Sequence, residues 1–211
     1  MARPVTIDMT AVLEAARKVF LRDGVRASAA QVAREAGVSE GSLFKRFRTK
    51  AEFFMAAMQV ETKTQAWEER LDRAPGRAPI RETLLASGLD LLQRMRVFVP
   101  RIILARSSGI TLATDYCFHG KKPPLQQMRV LARYFEAETK LGRLTVRDPR
   151  IAAHAFIGAL SHYAFCETVF KYRAAAPQAY VRGIVDGILR ATAPEPAGRK
   201  RQPRKHLEPN P

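Results

Sequence analysis

With 211 residues, of which 46% are hydrophobic and 27% charged, the chain can form one or two globular domains, and disorder over its whole length is excluded. The formal net charge of +16 favours a polyanionic partner, and on charge alone nucleic acid, an anionic membrane surface and a compositional bias all stay open. The two cysteines, Cys117 and Cys166, are too few for a disulfide framework and are not at metal-ligand spacing, so free thiols are expected, although one bridge between them stays open.

Apolar residues follow a helical period along almost the whole chain. They recur three and four positions apart, and no convincing alternation with a period of two occurs between turn residues. The sequence therefore predicts an all-α fold of about nine helices, with three short helices at the front and six longer ones behind them.

Glycines and capping residues divide the N-terminal region into short helices. The first helix is predicted from about Asp8 to Arg22, with Gly24 as its C-terminal cap. The second begins at Ser28 to Gln31, a capping-box pattern in which the serine and glutamine side chains satisfy each other's backbone donors. It ends at Gly37.

The third helix follows at once, with Ser39 as a suitable N-cap. Leu43 and Phe47 are four residues apart and are predicted to face the core, while basic and small polar residues point outward. Thr49 to Glu52 form a second capping box, which starts a long fourth helix. Two short helices about a tight glycine turn are typical of a helix-turn-helix that reads the DNA major groove, and a plain helical hairpin is the alternative.

Breaker residues divide the remainder of the chain. Residues 74–79 form a loop between two long helices, and at Pro100 one helix is predicted to end and another to begin. Gly120 to Pro124 form a further loop. The last two helices are predicted over Pro149 to Tyr172 and Pro177 to Thr192, each with a proline at its start.

The predicted elements group into three units. Residues 1–50 form a helix-turn-helix head, residues 51–193 a larger helical body, and residues 194–211 a disordered basic tail that lacks apolar residues to pack. The tail is either a nonspecific DNA-anchoring arm or a solvated end.

One segment, Ile151 to Phe170, is long and apolar enough to need a test as a membrane span. It contains His154, His162 and Glu167, basic residues flank it, and its apolar residues run nearly around the helix, so a helix buried in protein is predicted instead. No apolar signal-peptide core occurs at the start of the chain, and a cytoplasmic protein is expected.

The stretch from Val32 to Phe54, VAREAGVSEGSLFKRFRTKAEFF, resembles the signature of the tetracycline-repressor (TetR) family of transcriptional regulators. The shared features are the Ala-Gly-Val-Ser turn, the Gly-Ser-Leu-Phe run in the reading helix, the aromatic core position and the following lysine. The preceding helix carries the Ala-Ala-x-x-x-Phe pattern of the family at Ala15 to Phe20. The resemblance is close from residue 8 to residue 55 and elsewhere extends only to helix number and layout.

The resemblance implies which residues contact double-stranded DNA. Ser42 and Lys45 are expected to approach bases, and Lys50, at a helix N-terminus, a phosphate. The full set implied for DNA binding is Ser28, Gln31, Ser39, Ser42, Leu43, Phe44, Lys45, Arg46 and Lys50.

One position departs from the family pattern. Phe44 stands where the family usually has tyrosine, whose hydroxyl donates a hydrogen bond to a phosphate. Phenylalanine cannot donate that bond, but its ring can pack against sugar and thymine methyl groups. The charge of Arg46 is available to replace the lost contact.

The resemblance also implies a homodimer and a small-molecule effector. The dimer is expected to form through the last two helices and to read a palindromic operator. The effector is expected to be apolar or aromatic, with plain core packing as the alternative role for each residue of its site. The residues expected to line that site are Trp67, Phe98, Ile102, Tyr116, Phe118, His162, Tyr163 and Cys166.

The sequence therefore predicts a sequence-specific DNA-binding regulator, a repressor released from its operator by an effector. A DNA-binding protein without a ligand, constitutive or architectural, is the main alternative, and a helical enzyme with a DNA-binding head is a more distant one. The four histidines are scattered and no phosphate-binding glycine loop occurs, so no catalytic site, metal site or cofactor is predicted.

Overall fold

The structure, a computed structural model, describes residues 8–59, 66–110 and 123–194. Within these ranges the chain is helical, with nine helices and no strand. In chain order they are α1 (Met9–Asp23), α2 (Ala29–Ala36), α3 (Glu40–Phe44), α4 (Lys50–Met58), α5 (Ala66–Arg73), α6 (Ile80–Ser107), α7 (Pro123–Lys140), α8 (Pro149–Val169) and α9 (Pro177–Ala191). The predicted disordered tail, beyond its first residue, and the first part of the predicted loop at residues 120–124 lie outside the described residues.

Helices α1 to α4 pack around one hydrophobic cluster, which forms the head. Phe20 of α1 is at its centre, with its ring centroid 5.1 Å from that of Phe54 and 5.9 Å from that of Phe53, both edge-on. Such edge-to-face pairs add to the free energy gained by burying the rings. The cluster includes Ala57 and Met58 of α4, so the packed head extends past the predicted boundary at residue 50.

Helices α5 to α9 enclose a second, larger cluster, which forms the body. Its fully buried side chains include Leu91 of α6, Phe135 of α7 and Leu160 of α8. Helix α8 has a buried face, but Ile151 and Phe165 on its other side are exposed. The helix was predicted to be buried in protein on most sides. Within this chain, only one of its faces is buried.

Helix α6 belongs to both clusters. Its 28 residues span about 42 Å, with Met95 buried in the body and Ala105 buried in the head. The prediction that a helix ends before Pro100 was wrong, because α6 continues through this proline.

The helix continues through Pro100 because side chains on both sides of it are packed, Met95 in the body and Ala105 in the head. Proline cannot donate a backbone hydrogen bond to the carbonyl of residue i−4, which here belongs to Arg96, and an interior proline costs about 3 kcal/mol. Arg96 is held to α8 by two hydrogen bonds of 2.7 Å from its guanidinium to the carboxylate of Glu167. These bonds lower the pKa of Glu167, so the pair stays ionised at neutral pH.

Helix α4 is shorter than predicted. Residues 50–58 are helical, and Gln59 leaves the helical region with φ −54° and ψ 141°. Two arginines from other helices bind the carbonyl groups there: Arg17 Nε donates to Ala57 O at 3.0 Å, and Arg101 Nη1 donates to Gln59 O at 2.9 Å. Because these side chains satisfy carbonyl groups at the helix end, the chain can leave the helix without burying unpaired acceptors.

In the described ranges, no helix is both long enough and apolar enough to cross a lipid bilayer. This applies to α8, which contains most of the segment considered as a span.

Replacing Gly88 by alanine is expected to destabilise the body. A Cβ at Gly88 would lie 2.7 Å from Val181 Cγ1 and 3.0 Å from Phe156 Cζ, where α6, α8 and α9 meet. Because overpacking of this kind costs about 1–3 kcal/mol, Gly88→Ala should lower the free energy of unfolding by that amount, measured by urea denaturation followed by circular dichroism. Gly41→Ala is the control, since a Cβ there has no neighbour within 4 Å; equal stability of the two variants would contradict the packing argument.

Candidate nucleic-acid interface

The turn between α2 and α3 is built by capping residues. Ser28 Oγ accepts from Gln31 N at 3.2 Å, and Gln31 Oε1 accepts from Ser28 N at 2.6 Å, so the predicted capping box is present at the start of α2. At the end of α2, Gly37 adopts the left-handed conformation with φ 67°, which a residue with a side chain rarely adopts. The tight turn between the two helices therefore follows from residues that the sequence shows directly.

Helix α3 is held at both ends by short-range contacts. Ser39 Oγ accepts from Ser42 N at 3.2 Å, and the Ser39 and Ser42 hydroxyl oxygens lie 2.7 Å apart, which confirms Ser39 as the N-cap. At the other end, the rings of Phe47 and Phe53 lie 4.9 Å apart, so the chain after α3 packs onto α4.

Leu43 does not lie on the outer surface of α3. Its side chain is only 4% exposed and lies in the head cluster with Val32 and Phe54. A side chain on the inner side of α3 cannot reach a base, so the inclusion of Leu43 among DNA-contacting residues is corrected. Leu43 positions the outer residues of α3 by anchoring the helix from within.

The outer surface of α3 and the start of α4 are exposed and basic. Phe44, Lys45, Arg46 and Lys50 are all exposed, and Phe44, at 49%, is one of nine large hydrophobic side chains exposed in the described residues. The positive charges and the N-terminus of α4 lie within one short stretch of chain, which suits an extended anion such as a phosphate backbone.

The second capping box differs from its prediction in one bond. Thr49 Oγ1 accepts from Glu52 N at 3.1 Å as expected. The Glu52 carboxylate, however, accepts from the backbone N–H of Arg48 at 2.9 Å. The start of α4 is therefore capped, although the carboxylate binds Arg48 instead of Thr49. Lys50 is exposed beside it.

A cavity of about 620 Å³ lies between the head and the body. Trp67 of α5 lines it and is 2% exposed, and its indole Nε1 has no hydrogen-bond partner among the described residues. The whole lining comes from α1, the end of α4, α5 and α6: Thr10, Leu13, Glu14, Arg17, Gln59, Ala66, Trp67, Asp90, Gln93, Arg94, Val97 and Arg101.

The structure does not bring the predicted effector residues together. Tyr163 is buried in the body, where its hydroxyl donates to Ala175 O at 2.8 Å. His162 is exposed on α8, with its Nε2 3.4 Å from Cys166 Sγ. Of the remaining five, Trp67 and Ile102 lie on α5 and α6, and Phe98 packs against the body cluster. Tyr116 and Phe118 lie outside the described residues.

Of the predicted effector residues that the structure describes, Trp67 lines the cavity. Ile102 is half-buried further along α6. Sequence reasoning missed Arg17 and Arg101, which bind the end of α4 beside the cavity. No local pattern marks them, because each lies at least 40 residues from the carbonyl that it binds and on a different helix.

A second cavity, of about 840 Å³, lies on the surface between α7 and the start of α8. Met128 and Ala132 form apolar parts of its wall, and Arg129 and Arg147 are exposed at its edge. None of the predicted effector residues that the structure describes lines it.

Two parts of the chain match known protein families. Residues 12–57 match the model described as bacterial regulatory proteins, tetR family. Residues 93–193 match the C-terminal domain of AefR-like transcriptional repressors.

Solved structures with the same fold cover most of the chain. A TetR transcriptional regulator from Agrobacterium tumefaciens is 20% identical, with 88% of this chain and 94% of that chain covered and a TM-score of 0.62. A complex of SmeT with triclosan is 21% identical, with 96% and 98% covered and a TM-score of 0.61. The regulator FadR from Bacillus subtilis, in complex with stearoyl-CoA, is 14% identical, with 86% and 97% covered and a TM-score of 0.60.

Proposed function

Since the chain belongs to the tetracycline-repressor (TetR) family of transcriptional regulators, we propose that it represses transcription as a homodimer and leaves its operator when a small molecule occupies the cavity between head and body. The protein is a DNA-binding transcriptional regulator. The observation that carries the proposal is the exposed basic surface of α3 and α4, held rigidly on one hydrophobic cluster. No catalytic step is part of it.

The head presents its outer residues to the major groove and the flanking phosphates in this proposal. Ser42 and Lys45 approach base edges, Lys50 and Arg46 contact phosphates, and Ser28 and Gln31 meet the backbone at the start of α2. Base contacts and phosphate contacts are assigned by position, because α3 is the helix that enters the groove in this proposal and the starts of α2 and α4 flank it.

The dimer forms through the exposed face of α8 together with α9 in this proposal. Ile151, Phe165, Val169 and Phe170 are large apolar side chains exposed along one side and the end of α8, and Phe170 is 65% exposed. Large apolar side chains grouped on one helix in this way are often covered by a protein partner. A two-fold axis through these helices places two heads on one palindromic site.

The effector acts through the contacts beside the cavity. Arg17 of α1 and Arg101 of α6 both bind the end of α4 from the side of the cavity, so a ligand there contacts the helices that orient the head. The walls carry charged side chains as well as Trp67, Leu13 and Val97, so the proposed effector combines an aromatic or apolar part with polar groups. A ligand shifts the DNA-binding equilibrium only by its difference in affinity for the two head positions.

Two lysine variants test the DNA-reading proposal. Lys45→Ala should weaken binding to the operator more than binding to random DNA, because a base contact is lost. Lys50→Ala should weaken binding to all sequences alike and reduce the slope of log K against log salt by about one, because a phosphate contact is lost. Fluorescence anisotropy on both duplexes at several salt concentrations measures the two effects; equal losses on both duplexes from Lys45→Ala would refute its reading role.

Phe165→Asp tests the dimer interface. The ring is exposed in the single chain, so a carboxylate there should leave the fold intact but break an apolar interface, giving a monomer by light scattering at micromolar concentration. Leu141→Asp, at an exposed leucine in the connection after α7, is the control and should remain a dimer. A wild-type monomer would contradict the proposed dimer, and a Phe165→Asp variant that remains a dimer would place the interface elsewhere.

The single tryptophan allows a direct test of the effector cavity. Compounds that release the protein from its operator should also change the fluorescence of Trp67, since it lines the cavity. Val97→Arg should raise the compound concentration needed for release, because the longer side chain enters the cavity, whereas Arg129→Glu, at the edge of the second cavity, should not. If Arg129→Glu raised the compound concentration needed for release and Val97→Arg did not, the effector would be assigned to the second cavity.

A further inference from the structure

His162 and Cys166 place two metal-binding atoms side by side on α8. Cys166 Sγ lies 3.4 Å from His162 Nε2, and the two residues are about one helical turn apart. The side chain of His162 is exposed, and Cys166 is half-buried beside it. A thiolate sulfur and an imidazole nitrogen are ligands that zinc takes in structural sites, usually in a set of four. The pair can therefore supply two of the four ligands of such a site.

The distance between these two atoms fits a zinc ion bound to both. Zinc binds a thiolate sulfur at about 2.3 Å and an imidazole nitrogen at about 2.0–2.1 Å, with tetrahedral angles. Two such ligands of one ion lie about 3.6 Å apart, and Sγ and Nε2 lie 3.4 Å apart. The helix therefore holds the two side chains close to the spacing that one ion requires.

The described part of one chain does not complete this site. In residues 8–59, 66–110 and 123–194, no three His, Cys, Asp or Glu side chains are grouped so that they could hold a metal ion. The carboxylate next along the chain, that of Glu167, is bound by Arg96 at 2.7 Å and by Arg173 at 2.6 Å. A second copy of the chain can supply the two ligands that are missing.

The pair lies in the surface through which the proposed dimer forms. The outward residues of α8, all exposed or half-buried, recur three and four positions apart: Ile151, Ala155, Gly158, His162, Phe165 and Val169. At about 100° per residue they fall within about 80° of one another, so His162 lies within an otherwise apolar stripe. A partner helix on this stripe removes the imidazole from water. Because burying a polar group costs free energy unless it is bonded, a metal ion held by both copies stabilises it there.

We propose that His162 and Cys166 of two copies bind one zinc ion on the two-fold axis of the dimer, with two sulfur and two nitrogen ligands. Because the axis relates the copies, each contributes the same pair, and the site is incomplete in either copy alone. Each thiol loses its proton to water when the ion binds. The ion joins the two α8 helices and adds to the contacts of their apolar side chains. This inference rests on the dimer of the proposed function.

Titration of the full-length protein with zinc tests the site. The parent protein carries Cys117→Ser, which removes the other thiol, has no histidine tag, and is kept reduced and freed of metal with EDTA before dialysis. Zinc should bind at one ion per two chains, measured by calorimetry and by metal analysis. The dissociation constant of the dimer, measured by sedimentation at several protein concentrations, should fall about tenfold or more in zinc, because the ion binds the dimer and not the monomer.

Three variants on α8 assign the ligands. His162→Ala and Cys166→Ser should each remove zinc binding and the effect of zinc on the dimer. Each should remain a dimer in EDTA, because the apolar side chains of α8 are unchanged. His154→Ala is the matched control, at another exposed histidine of the same helix, and should bind zinc as the parent does. With Co²⁺ in place of zinc, the absorption bands of tetrahedral, thiolate-bound cobalt should appear in the parent and in this control only.

Failure of this inference is distinct from failure of the proposed dimer. A protein that is a monomer both with and without zinc refutes the dimer itself. A dimer in EDTA that binds no zinc, or that binds one ion per chain, refutes the shared metal site and leaves the dimer proposal standing. The same holds if either His162→Ala or Cys166→Ser keeps its zinc, or if the cobalt-bound parent lacks the thiolate bands.

Discussion

The structure depends on one helix that is packed into two hydrophobic clusters at once. Helix α6 is buried in the body around Met95 and in the head around Ala105, and Pro100 lies between these two anchors. Because neither half can move without disturbing a close-packed cluster, the head is oriented by the body through a rigid element. In the proposed dimer, a flexible linker would let each head turn independently, and the fixed spacing between the two heads would be lost.

The end of α4 is the point where the two clusters exchange contacts most directly. Arg17 comes from α1 of the head and Arg101 from α6, the helix that both clusters share, and both donate to carbonyl groups at this end. The cavity beside them is lined by helices of both units. In the proposed mechanism a ligand therefore needs no long path through the protein, since the groups that it touches already join α1, α4 and α6.

Much of the head was predictable from residues close together in the chain. The capping box at Ser28 and Gln31, the left-handed Gly37 and the N-cap Ser39 are short-range features, so their pattern is complete in the sequence. The same holds for Pro149 and Pro177 at the starts of α8 and α9. Pro100 was misread because its local preference is to end a helix, and only packing at Met95 and Ala105 outweighs it.

The sequence by itself determined the helical class, the helix-turn-helix and the family, because periodicity, caps and turn glycines act over a few residues. The tertiary structure alone decided which residues distant in sequence lie together. It brought Arg17 and Arg101 to one helix end and separated His162 from Trp67. These outcomes depend on how helices distant in sequence pack against one another, and the free energy of that packing is not written in any local pattern.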